Sequence, residues 1–413
     1  MEQRRKNLTQ LFIPICLETL LYMLSGMVDT LMLSSVNDQA VGAVGTANTY
    51  IGIFIIMFSV ISSGMVAVMT QNIGAGRPGV AYQARQLGLA FNAVLGIILS
   101  LILAFGAGTI LAGVGVADAL MQPARTYLQI VGGFCILNAL IPICSSYLRA
   151  FGFSKEPLYA SIIGNVINFC LNAFFLFVLH KGVAGVATAT VISRIINLVI
   201  VVMLGAVLVK AKQHPERESN REVMGQIIRI GLPSACETAI YNVSMTLVIR
   251  FLNQMDAQGL NVTARSYTMQ ITNFSYCVGA ALAQANAIMT GWRIGAKEYD
   301  ACDRGTRKAA IIGVIVAVIL ETMFALCSGW IMQLFSKDPQ MVSLVGKLLA
   351  IDIVLEMGRV TNLVYGQALK TSGDAVFPVV MGACFMILCS VGGTYLFGIR
   401  LGLLAVGAYI GMA

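Results

Sequence analysis

Twelve long apolar stretches, separated by short polar gaps, constrain this chain more than any other feature it has. They run over about 8–33, 41–70, 85–113, 126–148, 158–180, 184–209, 226–252, 263–290, 306–334, 341–368, 376–398 and 402–413. A bilayer core about 30 Å thick is crossed by roughly 20 helical residues, and a helix satisfies its own backbone hydrogen bonds in lipid. A water-soluble fold fails for want of polar surface. Only 11% of the 413 residues are charged and 58% are hydrophobic, where a soluble domain carries about 25% charged residues. The chain is therefore expected to be an all-α membrane protein of about twelve transmembrane helices, with the lipid bilayer as its first partner. Its 41 glycines suit close helix packing in lipid.

The net charge of +8 does not point to nucleic acid, because the basic residues sit in the gaps between apolar runs. With the N-terminus in the cytoplasm, 18 of the 27 Lys and Arg fall on the cytoplasmic side and seven outside, with Arg194 and Arg359 inside spans. That is the positive-inside bias. No small-residue cleavage motif follows the first run, which therefore reads as a retained helix. The ten cysteines lie mostly inside apolar runs without a CxxC pair and read as small core residues. His180 and His214 are the only histidines, too few for a histidine metal site. HExxH, Walker A and Asp-rich motifs are absent, as is a Ser/His/Asp set. An enzyme is thereby disfavoured, and so is ATP as the energy source.

The sequence repeats itself. Pro14, Glu18, Thr19 and Tyr22 recur as Pro233, Glu237, Thr238 and Tyr241, all at an offset of 219. IGAGR at 73–77 recurs as IGAK at 294–297. Leu148, Arg149, Gly152 and Pro157 return as Leu369, Lys370, Gly373 and Pro378, and Leu176, Phe177 and Gly182 as Leu396, Phe397 and Gly402. The reading is an N-lobe over 1–210, a cytoplasmic linker over 211–225 and a C-lobe over 226–413. Six spans per repeat return the chain to the side it left. The lobes should then be parallel, related by a pseudo-two-fold axis along the membrane normal, with substrate between them and access alternating by rocking. The repeat offset places the end of the twelfth helix near position 430. The chain ends at Ala413, so a truncated or half-length last helix, with a damaged packing seam, is expected.

Four segments carry a family resemblance. PICLETLLYMLSGMVDTLML at 14–33, QNIGAGR at 71–77, SYLRAFGFSKEPLYASIIGNVINFCLN at 146–172 and LEMGRVTNLVYGQALKTSGDAVFP at 355–378 resemble, in order, signatures of the multidrug and toxic compound extrusion (MATE) family. The resemblance implies a two-lobed antiporter, monomeric, in a bacterial plasma (inner) membrane. It would export organic cations or other amphiphilic compounds, driven by inward H⁺ or Na⁺, with no cofactor beyond that ion. A flippase for lipid-linked saccharides shares the architecture. However, once the basic residues near span ends are assigned to the two sides of the membrane, two Arg and no Lys remain within the spans beside six acids, which favours cationic cargo or proton binding over polyphosphate lipid. Met and aromatic residues suit a cavity for varied amphiphiles, though ordinary helix filling explains them as well.

A charge inside a span costs about 2.5–3.5 kcal/mol or more, so each needs a reason. Asp29 falls at the family's first-lobe acidic position and is a plausible proton carrier. The resemblance adds Asn168, Asn172 and Thr190 as its ion-coupling partners. Asn172 stands where several members have Asp, which weakens a Na⁺ site at Asp29 and favours a single-carboxylate proton mechanism; interhelical hydrogen bonding is the plainer alternative for these polar residues. In the second lobe, members with a sodium site carry acids where this chain has Tyr241 and Arg359, which argues against such a site. Glu356 and Arg359, three apart, share a helix face and can pair. Asp352 lies one turn before, and Glu237 is a candidate partner across the lobe, the four forming a charge cluster that acts as a protonation switch or a static ion pair. Glu18 and Glu237 are repeat-related acids, structural or lining a cation-attracting vestibule. Arg194 is expected to cap or pair within the first lobe. Glu321 has no partner visible in the sequence.

Overall fold

Every apolar run folds as helix. The computed structural model describes residues 6–35, 38–113, 116, 118–209, 216–255, 259–333, 336 and 338–413, and no strand occurs among them. In chain order the helices are α1 (Leu8–Ser34), α2 (Asp38–Gly74), α3 (Pro78–Gly113), α4 (Asp118–Tyr127), α5 (Ile136–Ala150), α6 (Lys155–Ala173) and α7 (Gly182–Leu208). Then follow α8 (Asn220–Met255), α9 (Leu260–Gly295), α10 (Tyr299–Leu326), α11 (Ser328–Met332), α12 (Pro339–Ser372), α13 (Val376–Phe385) and α14 (Leu404–Met412). π-helical segments extend α4 over Leu128–Gly132, α6 over Phe174–Val178 and α13 over Met386–Arg400.

Among the described residues, seven helices are long and apolar enough to cross a membrane, and an eighth span results if α4 and α5 count as one bent helix. α8, α9 and α12 run to 36, 36 and 34 residues, but their polar residues dilute the hydropathy. α14 has only nine residues. Large apolar side chains point outward, with Phe105 84% and Leu326 81% exposed, as lipid-facing surfaces require and soluble ones avoid. All ten cysteines are free, yet five of them (Cys170, Cys236, Cys327, Cys384 and Cys389) are exposed, so the expectation that they fill the core holds for only half.

The chain divides into two compact units, Met1–Leu232 and Pro233–Ala413. The division falls inside α8, at a proline that removes one helical N–H. α8 starts at Asn220, within the stretch expected as linker; 210–215, including His214, lie outside the described residues. Just before α8, Arg77 pairs with Glu218. The Gln83 amide donates to the Glu218 carbonyl at 2.7 Å and accepts from its N–H at 3.1 Å.

In the first unit, small and branched residues of α2, α3, α5 and α7 (Ala43, Ala47, Leu103, Ala107, Ala139 and Ala187) pack around Tyr127 and Leu128. The fourth predicted span is bent by 42° between Gly132 and Ile136. Adjacent glycines at 132 and 133 weaken the helix there, and Ser100 Oγ accepts the Ile136 N–H at 3.0 Å, satisfying a backbone group the break frees. In the second unit, α9, α10 and α12 meet through glycines. A Cβ on Gly279 or Gly313 would lie 2.8 or 2.7 Å from the Val360 methyls. α14 completes this core with Ala405, Ala408 and Tyr409.

The repeat extends to backbone detail. Arg77 N–H donates to Asn72 O and Glu298 N–H to Arg293 O, both at 2.8 Å, closing the turns after α2 and α9. Gly76 and Lys297 there have φ of +74° and +61°. Gly152 and Gly373 end α5 and α12 at φ +85° and +108°, the left-handed cap glycine allows cheaply. Thr19 and Thr238 each bond the carbonyl four residues earlier, at 2.9 and 3.1 Å.

Candidate functional site

In the first unit, two buried amides of α6 meet Asp29. α1 carries Asp29, half-buried, and α6 brings Asn168 and Asn172, one turn apart and 5% and 0% exposed. Asn172 Nδ2 donates to Asp29 Oδ1 at 2.6 Å and to Asn168 Oδ1 at 3.2 Å. Asn172 Oδ1 is buried without a partner. Asp29 makes no ion pair among the described residues, although the Arg194 charge on α7 acts on it and on buried Tyr127. Thr190 shares the α7 face of Arg194, but its hydroxyl bonds the Val186 carbonyl at 2.9 Å. Of the four residues expected together, the structure thus joins Asp29, Asn168 and Asn172 directly and leaves Thr190 bonded to its own helix.

Glu18 is occupied elsewhere. Its carboxylate takes Arg149 Nη2 at 2.5 Å, tying α1 to the end of α5. In the second unit Glu237 of α8 pairs with Lys370 at the end of α12. Because Glu18 and Glu237, and Arg149 and Lys370, are repeat equivalents, one ion pair is built twice. The sequence carried the signal, since acid and base recur at offsets of 219 and 221, but nothing in a linear reading joins residues so far apart. The side chains are mostly buried, at 10–17% exposure, and each pair ties two helices of its own unit together.

The expected four-residue charge cluster of the second unit is therefore rearranged. Glu237 is not part of it. Arg359 Nη1 donates to Glu356 Oε2 at 2.6 Å, as the spacing of three implied, and Asp352 lies one turn away on the same α12 face. The missing member is Glu321 of α10, which is wholly buried. One carboxylate oxygen from each of Glu321, Asp352 and Glu356 lies within 4.8 Å of the others. Glu321 was an orphan in the sequence because its partners come from another helix. Ser275 of α9, also buried, lies beside it.

Comparison with known proteins places this arrangement. The MatE family model matches residues 14–174 and 233–396, one match in each unit. The chain is 33% identical to the uncharacterized transporter YisQ of Bacillus subtilis (strain 168), over 96% of this chain and 88% of that protein. It is 23% identical to the probable multidrug resistance protein NorM of Thermotoga maritima, over 99% and 89%. Among solved structures, the outward-facing conformation of a multidrug resistance MATE family transporter of the MOP superfamily matches with a TM-score of 0.88 at 18% identity, covering 98% of this chain and 91% of that one. A MOP superfamily transporter from Pyrococcus furiosus, described as having a binding pocket of reverse polarity, matches with a TM-score of 0.87 at 19% identity, covering 98% and 92%. With a family match in both units and a relative at 33% identity over nearly its full length, the chain belongs to the MATE family of membrane transporters.

Proposed function

We propose that this protein is a secondary antiporter that exports organic cations or amphiphilic compounds in exchange for protons, with Asp29 as the proton carrier. The observation that carries the proposal is the Asp29–Asn172 contact. Asn172 offers an amide donor to the ionised carboxylate, and its own unpartnered oxygen is an acceptor for the protonated acid. An amide serves both protonation states at one place, which a lysine or arginine would not. A single carboxylate flanked by two neutral amides also supplies less charge than a Na⁺ site built on two acids. Relatives named as probable multidrug resistance proteins support the cargo class. The lysine and arginine bias supports a cytoplasmic N-terminus in a bacterial plasma membrane. The protein acts as a monomer on small molecules, by alternating access of its two lobes, with no nucleic-acid partner and no cofactor beyond the coupling ion.

The test is efflux of a cationic dye from proteoliposomes under an imposed pH gradient or an imposed Na⁺ gradient. The pH gradient should drive efflux in the wild type and fail to drive it in Asp29→Asn at matched insertion. Equal gradient-driven efflux by the variant, or drive by Na⁺ alone, contradicts the assignment.

A further inference from the structure

α10 has two contrasting faces. Cys302, Thr306, Ala309, Gly313 and Ala317 are buried, on the side that packs against α9 and α12. Arg304, Arg307, Lys308, Ile311, Ile315 and Ile319 recur at the three- and four-residue spacing of one helix side, and all six are exposed. Along the helix this outer face sorts by polarity. Asp300 and Asp303 come first, then the three bases, then isoleucines. None of the three bases makes an ion pair among the described residues, not even with the two acids beside them. From 311 to 319 the isoleucines rise about 12 Å at 1.5 Å per residue, most of one leaflet of a core about 30 Å thick.

We propose that this face of α10 is a binding site for an anionic phospholipid, with its phosphate held by Arg304, Arg307 and Lys308 and an acyl chain lying along Ile311, Ile315 and Ile319. Charge complementarity selects the lipid. Basic clusters at the membrane surface attract anionic headgroups, and a guanidinium offers a phosphate two parallel donors. A zwitterionic lipid brings its own ammonium group against the same three bases. The site is a property of the second unit alone. The turns before α3 and α10 are closed by matching hydrogen bonds, Arg77 N–H to Asn72 O and Glu298 N–H to Arg293 O, which aligns the two helices at an offset of 221. Arg304, Arg307 and Lys308 then fall on Gln83, Gln86 and Leu87, whereas Ile315 and Ile319 fall on Val94 and Ile98, both exposed. The Arg85 guanidinium of α3 lies instead over the Tyr147 ring of α5, 4.5 Å from its centroid. Both repeats thus keep the apolar stripe and only one carries the bases, so the fold itself does not call for them.

The experiment is fluorescence quenching by brominated lipids in vesicles that hold the full chain. Ile315→Trp places the reporter on the stripe, and Val94→Trp places it at the repeat-equivalent position of α3. Both carry Trp330→Phe, because Trp330 is exposed, while buried Trp292 stays as a constant background. At position 315, brominated phosphatidylglycerol should quench at about fivefold lower mole fraction than brominated phosphatidylcholine, the effect of one net positive charge near an anionic headgroup. The preference should shrink as NaCl is raised to about 0.5 M, vanish when Arg304→Gln, Arg307→Gln and Lys308→Gln are combined, and be absent at position 94. Equal quenching by the two lipids at position 315 overturns the proposal. So does a preference that salt leaves unmoved, one that survives loss of the three bases, or one equally strong at position 94. The salt series and the comparison with position 94 decide the matter even if the triple variant fails to insert. The readout is lipid contact at α10, so its failure leaves proton exchange at Asp29 standing.

Discussion

Glu18 and Arg149, 131 residues apart, are joined at 2.5 Å with both side chains mostly buried. Their repeat equivalents Glu237 and Lys370 are joined in the same way. Two charges taken out of water are tolerated when each satisfies the other, and removing one partner strands the second. Glu18→Gln and Glu237→Gln should each lower stability by about 3–5 kcal/mol. The check is thermal or denaturant unfolding in detergent. Double variants, Glu18→Gln with Arg149→Met and Glu237→Gln with Lys370→Met, should recover much of the loss. If the doubles are as unstable as the sum of the singles, the pairs are not coupled.

Asn172 tunes which ion the first unit can use. Asn172→Leu removes the donor to Asp29 and should slow pH-driven efflux by at least about tenfold, since a hydrogen bond to a charged group contributes about 1.5–3 kcal/mol. Asn172→Asp places a second carboxylate against the first. It should introduce a Na⁺ dependence that the wild type lacks in this unit. Dye efflux against Na⁺ concentration, measured side by side in Asn172→Asp and the wild type, reads this.

Gly313 is fixed by contact. A Cβ there would meet Val360 Cγ1 at 2.7 Å and Leu282 Cδ2 at 2.8 Å, and valine, branched at Cβ, has little rotameric freedom to yield. Gly313→Ala should cost about 1–3 kcal/mol. Val360→Ala should rescue part of that loss in the double variant, as measured by unfolding midpoints.

Ser100 supports the bend between α4 and α5. Ser100→Ala leaves the Ile136 N–H without its acceptor and should cost about 1–3 kcal/mol. Ser100→Thr keeps the oxygen and should cost less. Hydrogen exchange at Ile136 should rise in the alanine variant only.

Much of this was legible in the sequence, for physical reasons that differ by residue. The helices follow from apolar length, and the repeat from anchors such as Pro14 and Pro233. Asp29, Asn168 and Asn172 could be grouped because a family motif sets them on facing helices. Glu356 and Arg359 could be paired because three residues is one helical turn. Glu321 could not, because its neighbours Ser275 and Asp352 lie on other helices, and proximity between helices leaves no periodic trace. Glu237 was grouped with Arg359 because both are charged and in one lobe, but Lys370, its actual partner, was the repeat image of Arg149 all along. The bend at Gly132 is hidden because the 23-residue apolar run over 126–148 looks the same straight or broken.

In the proposed exchange, cationic substrate and the proton carried by Asp29 displace one another. The most direct measurement is proton release on adding a cationic substrate to the unbuffered, detergent-solubilised protein, followed with a pH-sensitive dye. The wild type should release protons in proportion to substrate bound, and Asp29→Asn should bind substrate without releasing any. Undiminished proton release from Asp29→Asn would rule out Asp29 as the proton carrier.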